Sequence, residues 1–334
     1  EISGSVQLSI IARGEKNFPA AAPGTSFDEP YSMNVIDLCP VGALTSDNFR
    51  FQARVWEMNY TPSICTDCAK GCSIDVTPRK NEEVNDYWMC DEGRLGFEKY
   101  NFNRVNTPKL AGDVPVSWDE AYTHAADLLK KHQGKVLFLA SALSGLENNL
   151  AMKQFAQEQD GDLFFTTHEI EGRGDHFLRK DDITPNTKGC EGLGITSLSE
   201  AELESKLKSG VYEMVYMLED VHAMTPVLRE FNGPVVMHAT HYVEGFEKAA
   251  VILPAAMEIE QPQSFMNIDG VVQTTEQSRQ IKHMSPEDWM FMSKSRLDAA
   301  GQLTDRWRKE EHILDVLASW RILSEVSQKA GGSL

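Results

Sequence analysis

The sequence predicts an α/β protein in which a small cysteine-rich domain precedes a larger region built around a parallel β-sheet. Two observations support this fold class. Four of the 6 cysteines fall between Cys65 and Cys90, in a stretch with few apolar residues that could form a core. From about residue 115 onwards, short apolar runs alternate with amphipathic segments, which is typical of βαβ units on a parallel sheet.

The second region carries recognisable signals for helices and strands. Ser117 precedes Glu120 by three residues, a capping-box pattern that predicts a helix in VSWDEAYTHAADLLKKH. LENNLAMKQFAQEQ predicts another helix, and WRKEEHILDVLASWRILSEVSQ predicts an amphipathic helix near the end of the sequence. Strands are predicted at KVLFLAS, DLFFTT, MVYML, PVVMHA and AAVILP. Upstream, the alternating apolar residues of RFQARVWEM predict a further strand.

The composition of the chain limits the classes of function that it can have. The chain has 334 residues, of which 41% are hydrophobic and 25% charged, and its sequence contains no apolar run long enough for a membrane span. We therefore expect a soluble globular protein. A net charge of −18 opposes binding to phosphate backbones or anionic lipid surfaces. Because the sequence starts at Glu1 without methionine, we expect a processed chain, a trimmed one or an excised fragment.

The clustered cysteines predict a metal centre rather than a disulfide framework. Dense disulfide frameworks occur mainly in small secreted domains, whereas this chain is long and shows no signal peptide, so we expect thiolates in a reducing cytosol. The clustered residues follow the pattern C-x2-C-x3-C-x17-C, and they are Cys65, Cys68, Cys72 and Cys90.

Four thiolates can bind either a tetrahedral Zn²⁺ or a [4Fe–4S] cluster. Structural zinc sites usually combine C-x2-C with a second close pair, whereas here three cysteines share one short segment and the fourth stands alone. This spacing favours the cluster, with zinc as one alternative and four unrelated buried cysteines as another. Gly71 and Gly93 lie beside cysteines, where a backbone without Cβ can approach cluster sulfides and donate N–H bonds.

Three stretches of the sequence, the first of them made of two segments, resemble known families. TPSICTDCAKGCSIDV and NEEVNDYWMCDEGRLGF together resemble the iron–sulfur domain of the molybdopterin oxidoreductase superfamily. NVIDLCPVGALTSDNFRFQARVWEM resembles, more narrowly, the large iron–sulfur subunit of respiratory complex I, which is the G subunit of bacterial NADH-quinone oxidoreductase. AAVILPAAMEIEQPQSFMNIDGVVQ is similar to the later Rossmann-like segment of the superfamily, in which LPA precedes an acidic residue and N-x-[DE]-G-x-V-Q follows.

The resemblance gives a role to Cys39, which is followed by Pro40. In the family, this cysteine completes a second [4Fe–4S] cluster whose other three ligands lie upstream in a ferredoxin-like domain. Residues 1–38 contain no cysteine, so we expect the sequence to begin inside the subunit. From the residues alone, simple burial is the favoured interpretation of Cys39; the resemblance favours a cluster ligand in the intact assembly.

Two positions depart from the molybdenum-containing members of the superfamily. Those members usually have a lysine two residues after the fourth cysteine, where this sequence has Glu92. Their metal ligand lies on a loop of the second domain, and Cys190, the only cysteine downstream, is expected to be a buried or loop cysteine. We therefore expect no molybdopterin. The charged segment HEIEGRGDHFLRKDD, residues 168–182, is expected to be a solvated loop.

The resemblance implies a division of the chain into four segments. These are the C-terminal remnant of a ferredoxin-like domain (1–57), a [4Fe–4S] domain (58–112), a Rossmann-like α/β region with a degenerate pterin-binding fold (113–284) and C-terminal helices (285–334).

The implied function is that of an electron-transfer and scaffold subunit of an NADH:quinone oxidoreductase, with no catalytic acid, base or nucleophile of its own. The implied partners are the flavin/NADH-binding and quinone-site subunits of the peripheral arm and an upstream ferredoxin-like segment, without nucleic acid or direct membrane insertion. The implied location is peripheral, on the cytoplasmic face of the inner membrane. Two alternatives remain, namely a fragment of a molybdopterin enzyme of the formate dehydrogenase type, and a structural relic whose cluster or zinc only stabilises the fold.

Overall fold

The computed structural model describes residues 6–48, 50–51, 60–75, 84–279, 281–283 and 314–334. Helices near the cysteines are short, and most of those that follow are longer because the amphipathic segments lie there. The helices span Asn34–Leu38 (α1), Asp91–Leu95 (α2), Trp118–Lys131 (α3), Leu146–Glu158 (α4), Thr187–Gly192 (α5), Glu200–Lys208 (α6), Val221–Glu230 (α7) and Ser319–Ala330 (α8).

The strands of the described residues form one large mixed sheet and small hairpins. They span Leu8–Ile11 (β1), Phe18–Ala21 (β2), Ser63–Ile64 (β3), Ser73–Ile74 (β4), Lys109–Leu110 (β5), Val114–Pro115 (β6), Val136–Ala140 (β7), Asp162–Thr166 (β8), Thr196–Leu198 (β9), Met214–Met217 (β10), Val235–Ala239 (β11), Val251–Pro254 (β12), Ser264–Met266 (β13) and Val272–Thr274 (β14). β1–β2, β3–β4 and β13–β14 are antiparallel pairs, and the other strands join in the order β6-β5-β12-β11-β10-β7-β8-β9.

The strands β7 to β12 are parallel, and their positions in the sheet follow the order 3-2-1-4-5-6 when they are numbered along the chain. This is the strand order of the Rossmann fold. β5 and β6 extend the β12 edge in antiparallel orientation. The chain changes its direction across the sheet between β7 and β10, where the carboxyl ends of the strands open a crevice. The predicted α/β fold with a Rossmann-like parallel sheet is confirmed.

Alternate residues of the central strands enter hydrophobic cores on opposite faces of this sheet. Phe138 and Tyr216 pack on one face with residues of α3, α4 and α8. Leu139 and Met217, their neighbours in the same strands, pack on the other face with residues of α6 and α7. Burying a large apolar side chain contributes roughly 1.5–3 kcal/mol. Because both faces are covered, apolar residues occupy nearly every strand position, which made the strands recognisable as continuous apolar runs.

Most predicted elements of this region are confirmed. α3 begins after Ser117, whose hydroxyl accepts a hydrogen bond from the Glu120 N–H while the Glu120 carboxylate accepts from the Ser117 N–H at 3.0 Å. LENNLAMKQFAQEQ forms α4, and the apolar runs form β7, β8, β10, β11 and β12. The strand predicted in RFQARVWEM lies outside the described residues, apart from residues 50–51, which form a turn.

The terminal helix is shorter than predicted. Part of its predicted segment lies outside the described residues, and α8 begins only at Ser319. Leu314 and Leu317 instead form parallel bridges with Ile281 and Ala255. Their backbone groups pair with residues far away in sequence rather than with the next helical turn, so the prediction of one continuous helix is wrong at these residues.

Candidate metal centre

Two short segments bring the four clustered cysteines together. Cys65, Cys68 and Cys72 lie on the turn from β3 to β4, and Cys90 directly precedes α2. The Cys65 N–H donates to the Cys72 carbonyl at 2.8 Å, which closes the turn. All four are free thiols, and their exposed fractions lie between 4% and 7%.

The surroundings of these thiols are apolar. Cys65, Cys72 and Cys90 share one buried cluster with Tyr31 and other apolar side chains. Burial raises the pKa of the Cys72 thiol, and the charges of Cys68 and Cys90 raise it further. Burial also raises the pKa of Cys65 and of Cys90. Thiolates are therefore disfavoured here unless a cationic centre bound among them compensates for the lost hydration.

The two glycines predicted beside ligands stand at close approaches. A Cβ on Gly93 would lie 2.6 Å from the Cys65 sulfur, and the Gly93 nitrogen lies 3.4 Å from the Cys90 sulfur, to which it donates. Gly71 has a φ of 57°, which favours glycine, and its N–H donates to the Cys68 carbonyl at 3.2 Å. No larger residue fits at Gly93 unless a candidate ligand moves.

The geometry that a single ion would require can be compared with the arrangement of these side chains. Sulfurs around one Zn²⁺ lie about 3.8 Å apart, because each Zn–S bond is about 2.3 Å and the geometry is tetrahedral. Among the residues that the structure describes, no three Cys, His, Asp or Glu side chains are grouped so that they could hold one metal ion. A cubane instead spreads its four cysteine ligands over four irons.

A polar network borders the cysteine turn on the side of the sheet. The Lys99 ammonium lies 2.7 Å from Asp67 Oδ1 and donates to the Thr66 hydroxyl at 2.9 Å. The Thr66 hydroxyl donates to Glu258 Oε1 at 2.9 Å, and the Tyr100 hydroxyl donates to the same oxygen at 2.6 Å. Glu258 belongs to the acidic part of the third resembling stretch, so this network joins the turn to the end of β12.

The same stretch forms an outer wall of the cysteine turn. The Ile268 N–H donates to the Ala69 carbonyl at 2.8 Å, and the Gln273 side chain donates to the Gly71 carbonyl at 2.7 Å. The Asn267 amide donates to a carbonyl of the same turn at 3.2 Å. The polar residues of N-x-[DE]-G-x-V-Q therefore satisfy backbone groups that the turn leaves open.

Residues 168–182 form a loop, as the charge pattern predicted, but only part of this loop is exposed to solvent. Arg173 and Leu178 are 8% and 4% exposed. Leu178 joins the apolar cluster around the cysteines, and Phe177 packs against Trp88 with ring centroids 6.1 Å apart. Two apolar residues inside a charged run were the sequence signal that this segment covers a core.

Cys39 ends α1 at a half-buried position. Backbone N–H groups of Leu44 and its neighbours point towards the sulfur and lower the pKa of Cys39. The surrounding segment is tied to the Cys90 segment, because the Asn34 amide donates to the Met89 carbonyl at 2.7 Å. Backbone donors of this kind stabilise a thiolate.

Cys190 lies in α5 and is fully buried in the hydrophobic core. Burial raises the pKa of its thiol. Of the two predicted positions, buried or in a loop, Cys190 occupies the buried one.

A crevice of about 630 Å³ lies between the cysteine turn and the carboxyl ends of the strands. At the amino end of α4, where a Rossmann fold holds a phosphate group, the Gly145 N–H instead donates to the Gln263 side chain at 2.7 Å. The buried Glu219 carboxylate beside it accepts hydrogen bonds from Ser144 at 2.6 Å and from Ser319 of α8 at 2.7 Å. Burial raises the pKa of the Glu219 carboxyl, and a pyrophosphate at this position would have to displace the Gln263 side chain from the Gly145 N–H. The absence of molybdopterin stays a prediction.

Comparison with known proteins identifies the relatives of the chain. Residues 1–45 match the family model "NADH-quinone oxidoreductase subunit 3, ferredoxin-like domain". An alignment of 287 residues, covering 77% of this chain, is 30% identical to the G subunit of the NADH-quinone oxidoreductase of Streptomyces coelicolor. The chain is homologous to this G subunit. The predicted resemblance to the large iron–sulfur subunit of complex I is confirmed.

Two further relatives agree with this homology. The chain is 35% identical over 172 residues, 47% of its length, to "NADH-quinone oxidoreductase subunit 3" of Thermus thermophilus. It is 32% identical over 193 residues, 53% of its length, to "NADH dehydrogenase [ubiquinone] iron-sulfur protein 1, mitochondrial" of Solanum tuberosum. The alignments cover 34% of the Streptomyces coelicolor relative, 22% of the Thermus thermophilus one and 25% of the Solanum tuberosum one.

Within the described residues, every helix is too short or too polar to cross a membrane.

Proposed function

We propose that this chain is an iron–sulfur part of an NADH-quinone oxidoreductase and that Cys65, Cys68, Cys72 and Cys90 hold a [4Fe–4S] cluster. The observation that carries the proposal is the convergence of four buried, unpaired cysteines from two segments, in a chain homologous to the G subunit of this enzyme. The name "iron-sulfur protein 1" of the Solanum tuberosum relative supports the same class of cofactor.

When bound, the cluster supplies transfer of one electron at a time. The residues of the chain hold it, exclude water and set its potential. The four thiolates bind it, the apolar side chains around Tyr31 exclude water, and the Gly93 N–H donates to a ligand sulfur. Donors to sulfur and burial are the means by which proteins adjust cluster potentials. No acid, base or nucleophile is needed for this step.

The proposal extends to the assembly in which the chain works. Electrons would start at NADH, pass a flavin on another subunit and continue towards a quinone, with this chain relaying or flanking that path. The proposed partners are the flavin/NADH-binding and quinone-site subunits. The proposed location is peripheral, on the cytoplasmic face of the inner membrane. The four segments 1–57, 58–112, 113–284 and 285–334 stay proposals, and the ferredoxin-like match ends at residue 45.

Metal analysis of anaerobically purified protein tests the proposal. We expect about four irons per chain, as cubane ligation implies. The double variant Cys68→Ser, Cys72→Ser should lose the iron, whereas Cys190→Ala, which changes a buried cysteine in the core, should keep it. Zinc in place of iron, or unchanged iron in the double variant, would contradict the proposal.

The same preparation separates the two alternatives. A molybdenum or tungsten atom with an extractable pterin would show a molybdopterin enzyme. A cluster that contains iron but accepts no electron from dithionite would show a purely structural role.

A further inference from the structure

Arg173 joins the two segments that carry the cysteines. Its Nη2 donates to the Asp67 carbonyl at 3.0 Å, on the turn between Cys65 and Cys68. Its Nε donates to Glu92 Oε1 at 3.2 Å, and its Nη2 lies 3.0 Å from Glu92 Oε2. Glu92 lies at the start of α2, two residues after the fourth cysteine. One planar guanidinium therefore spans both sides of the proposed cluster site.

Arg173 is also held by a third contact, in addition to those with Asp67 and Glu92. Its Nη1 donates to the Lys180 carbonyl at 2.8 Å, within its own segment. That segment is attached to the turn a second time, because the Ala69 N–H donates to the Asp182 carbonyl at 3.0 Å. Removing the Glu92 carboxylate would thus leave Arg173 held by two backbone carbonyls.

The positive charge of Arg173 is shielded from water. Its side chain is 6% exposed, whereas the side chain of Glu92 is 50% exposed. Burial opposes the charged form, but the Glu92 carboxylate and the Cys68 side chain hold the pKa of Arg173 above its usual value. A buried charge acts over a longer range than an exposed one, because less water screens it.

We propose that Arg173 is a positioning residue that clamps the two cysteine segments together and raises the reduction potential of the cluster between them. The inference rests on the proposed function, since it requires a cluster at these cysteines. When dithionite gives one electron to the site, the site becomes more negative by one charge and no proton is required. A buried cation stabilises that reduced state, and the Glu92 carboxylate opposes it.

Redox titration of the whole chain, followed by electron paramagnetic resonance, tests this inference. Arg173→Gln should bind iron and have a lower midpoint potential than the unchanged chain. Arg173→Lys keeps the charge and should recover most of the difference. Arg179→Gln is the matched control, because Arg179 lies 3.5 Å from Glu92 but, among the described residues, makes no hydrogen bond to the cysteine turn. It should shift the potential less than Arg173→Gln does.

Glu92→Gln provides an independent test in case Arg173→Gln cannot hold the cluster. Because Glu92 is half exposed and Arg173 keeps its carbonyl partners, the fold should persist, and the potential should rise as a nearby negative charge is removed. A fall or no change in Glu92→Gln would overturn the inference, as would equal shifts in Arg173→Gln and Arg179→Gln. Absence of iron from the unchanged chain would instead overturn the proposed function, so the two failures are distinguishable.

Discussion

At the scale of single residues, the cysteine site depends on a glycine backbone that lies too close to a cysteine sulfur for a methyl group to fit between them. Gly93 leaves no space for a Cβ beside the Cys65 sulfur. The four clustered cysteines could be singled out from the sequence, because cysteines this close together have few other uses in a long chain. The contacts of Arg173 and Gln273 with the turn could not be predicted. Arg173 lies about 100 residues from the turn and Gln273 about 200 residues, and nothing in their local sequences indicates these contacts.

Gly93→Ala should weaken the site. The new methyl group would lie 2.6 Å from the Cys65 sulfur and 3.3 Å from Met89 Cε, so one of them must move. Overpacking of this kind costs about 1–3 kcal/mol. We expect a lower iron content and a lower free energy of unfolding, measured by metal analysis and denaturant titration.

Gly192→Ala is the control for this change. Its Cβ would meet nothing nearer than a methionine carbon at 4.0 Å, and alanine favours a helix over glycine. Iron content should therefore stay unchanged in Gly192→Ala. If both variants bind iron equally, the close approach at Gly93 does not matter for the site.

At the scale of helices and strands, local sequence signals predicted the helices and strands of the sheet region well. They predicted the conformation of the residues before the terminal helix poorly. The capping box at Ser117 is complete within four residues, so the start of α3 could be predicted from sequence. The apolar spacing around Leu314 and Leu317 also suits a helix. Their partners Ile281 and Ala255 lie far upstream, and pairing with them decides the conformation. Tertiary pairing of this kind has no local signal.

Two elements meet at an ion pair that should make stability depend on pH. His168, just after β8, lies 3.0 Å from Asp220, the residue that caps α7. Burial opposes the charged imidazole, but the hydrogen bond and charge of Asp220 raise the pKa of His168. Burial likewise opposes the charged carboxylate, yet the bond to His168 lowers the pKa of Asp220.

The sign of each contribution follows from these directions. His168 stabilises the fold fully below its unfolded pKa of about 6.5, and the effect is lost as pH rises through its higher folded pKa. Asp220 stabilises the fold above about pH 3.9, and the effect is lost as pH falls through its lower folded pKa. Denaturant titrations from pH 6 to pH 9 should show a decline in the free energy of unfolding that His168→Gln reduces.

His222 provides a control, because its protonation should change the stability of the fold in the opposite direction from that of His168. Burial lowers the pKa of His222, so its neutral form is favoured in the fold and acidification through about pH 6.5 destabilises the protein. His222→Gln should therefore improve stability at pH 5 and leave the decline above pH 6.5 in place. An unchanged pH profile in both variants would show that neither histidine titrates with folding.

At the scale of the whole molecule, the N-terminal segment and the cluster site form one contact surface. Asp91 accepts from the Met33 N–H at 2.9 Å, and the Arg94 guanidinium lies 2.7 Å from Asp37. These contacts place the segment of Cys39 against the segment of Cys90. We therefore expect two iron–sulfur sites built around these segments to be neighbours.

Cys39 should become a ligand only when three more cysteines are supplied beside it, because one thiolate cannot hold a cubane. We expect the folded chain alone to be alkylated at Cys39. Joining or docking an upstream ferredoxin-like segment, together with iron and sulfide, should protect Cys39 and produce a second cluster signal. Cys190, which is fully buried, should resist alkylation in both samples. Equal labelling of Cys39 in both, or two clusters in the chain alone, would refute this assignment.

The wall of the cysteine turn has a consequence for the order of events during synthesis. Gln273 donates to the Gly71 carbonyl across 202 positions of the chain, and Asn267 reaches the same turn across 197. At about 5–20 residues per second, the ribosome needs roughly 10–40 s to make the intervening chain. During that interval the turn would be present without this wall, and we expect proteins that deliver iron and sulfide to reach the thiols from solvent. Synthesis of the wall would then close the site, so the time available for cluster delivery would be set by translation.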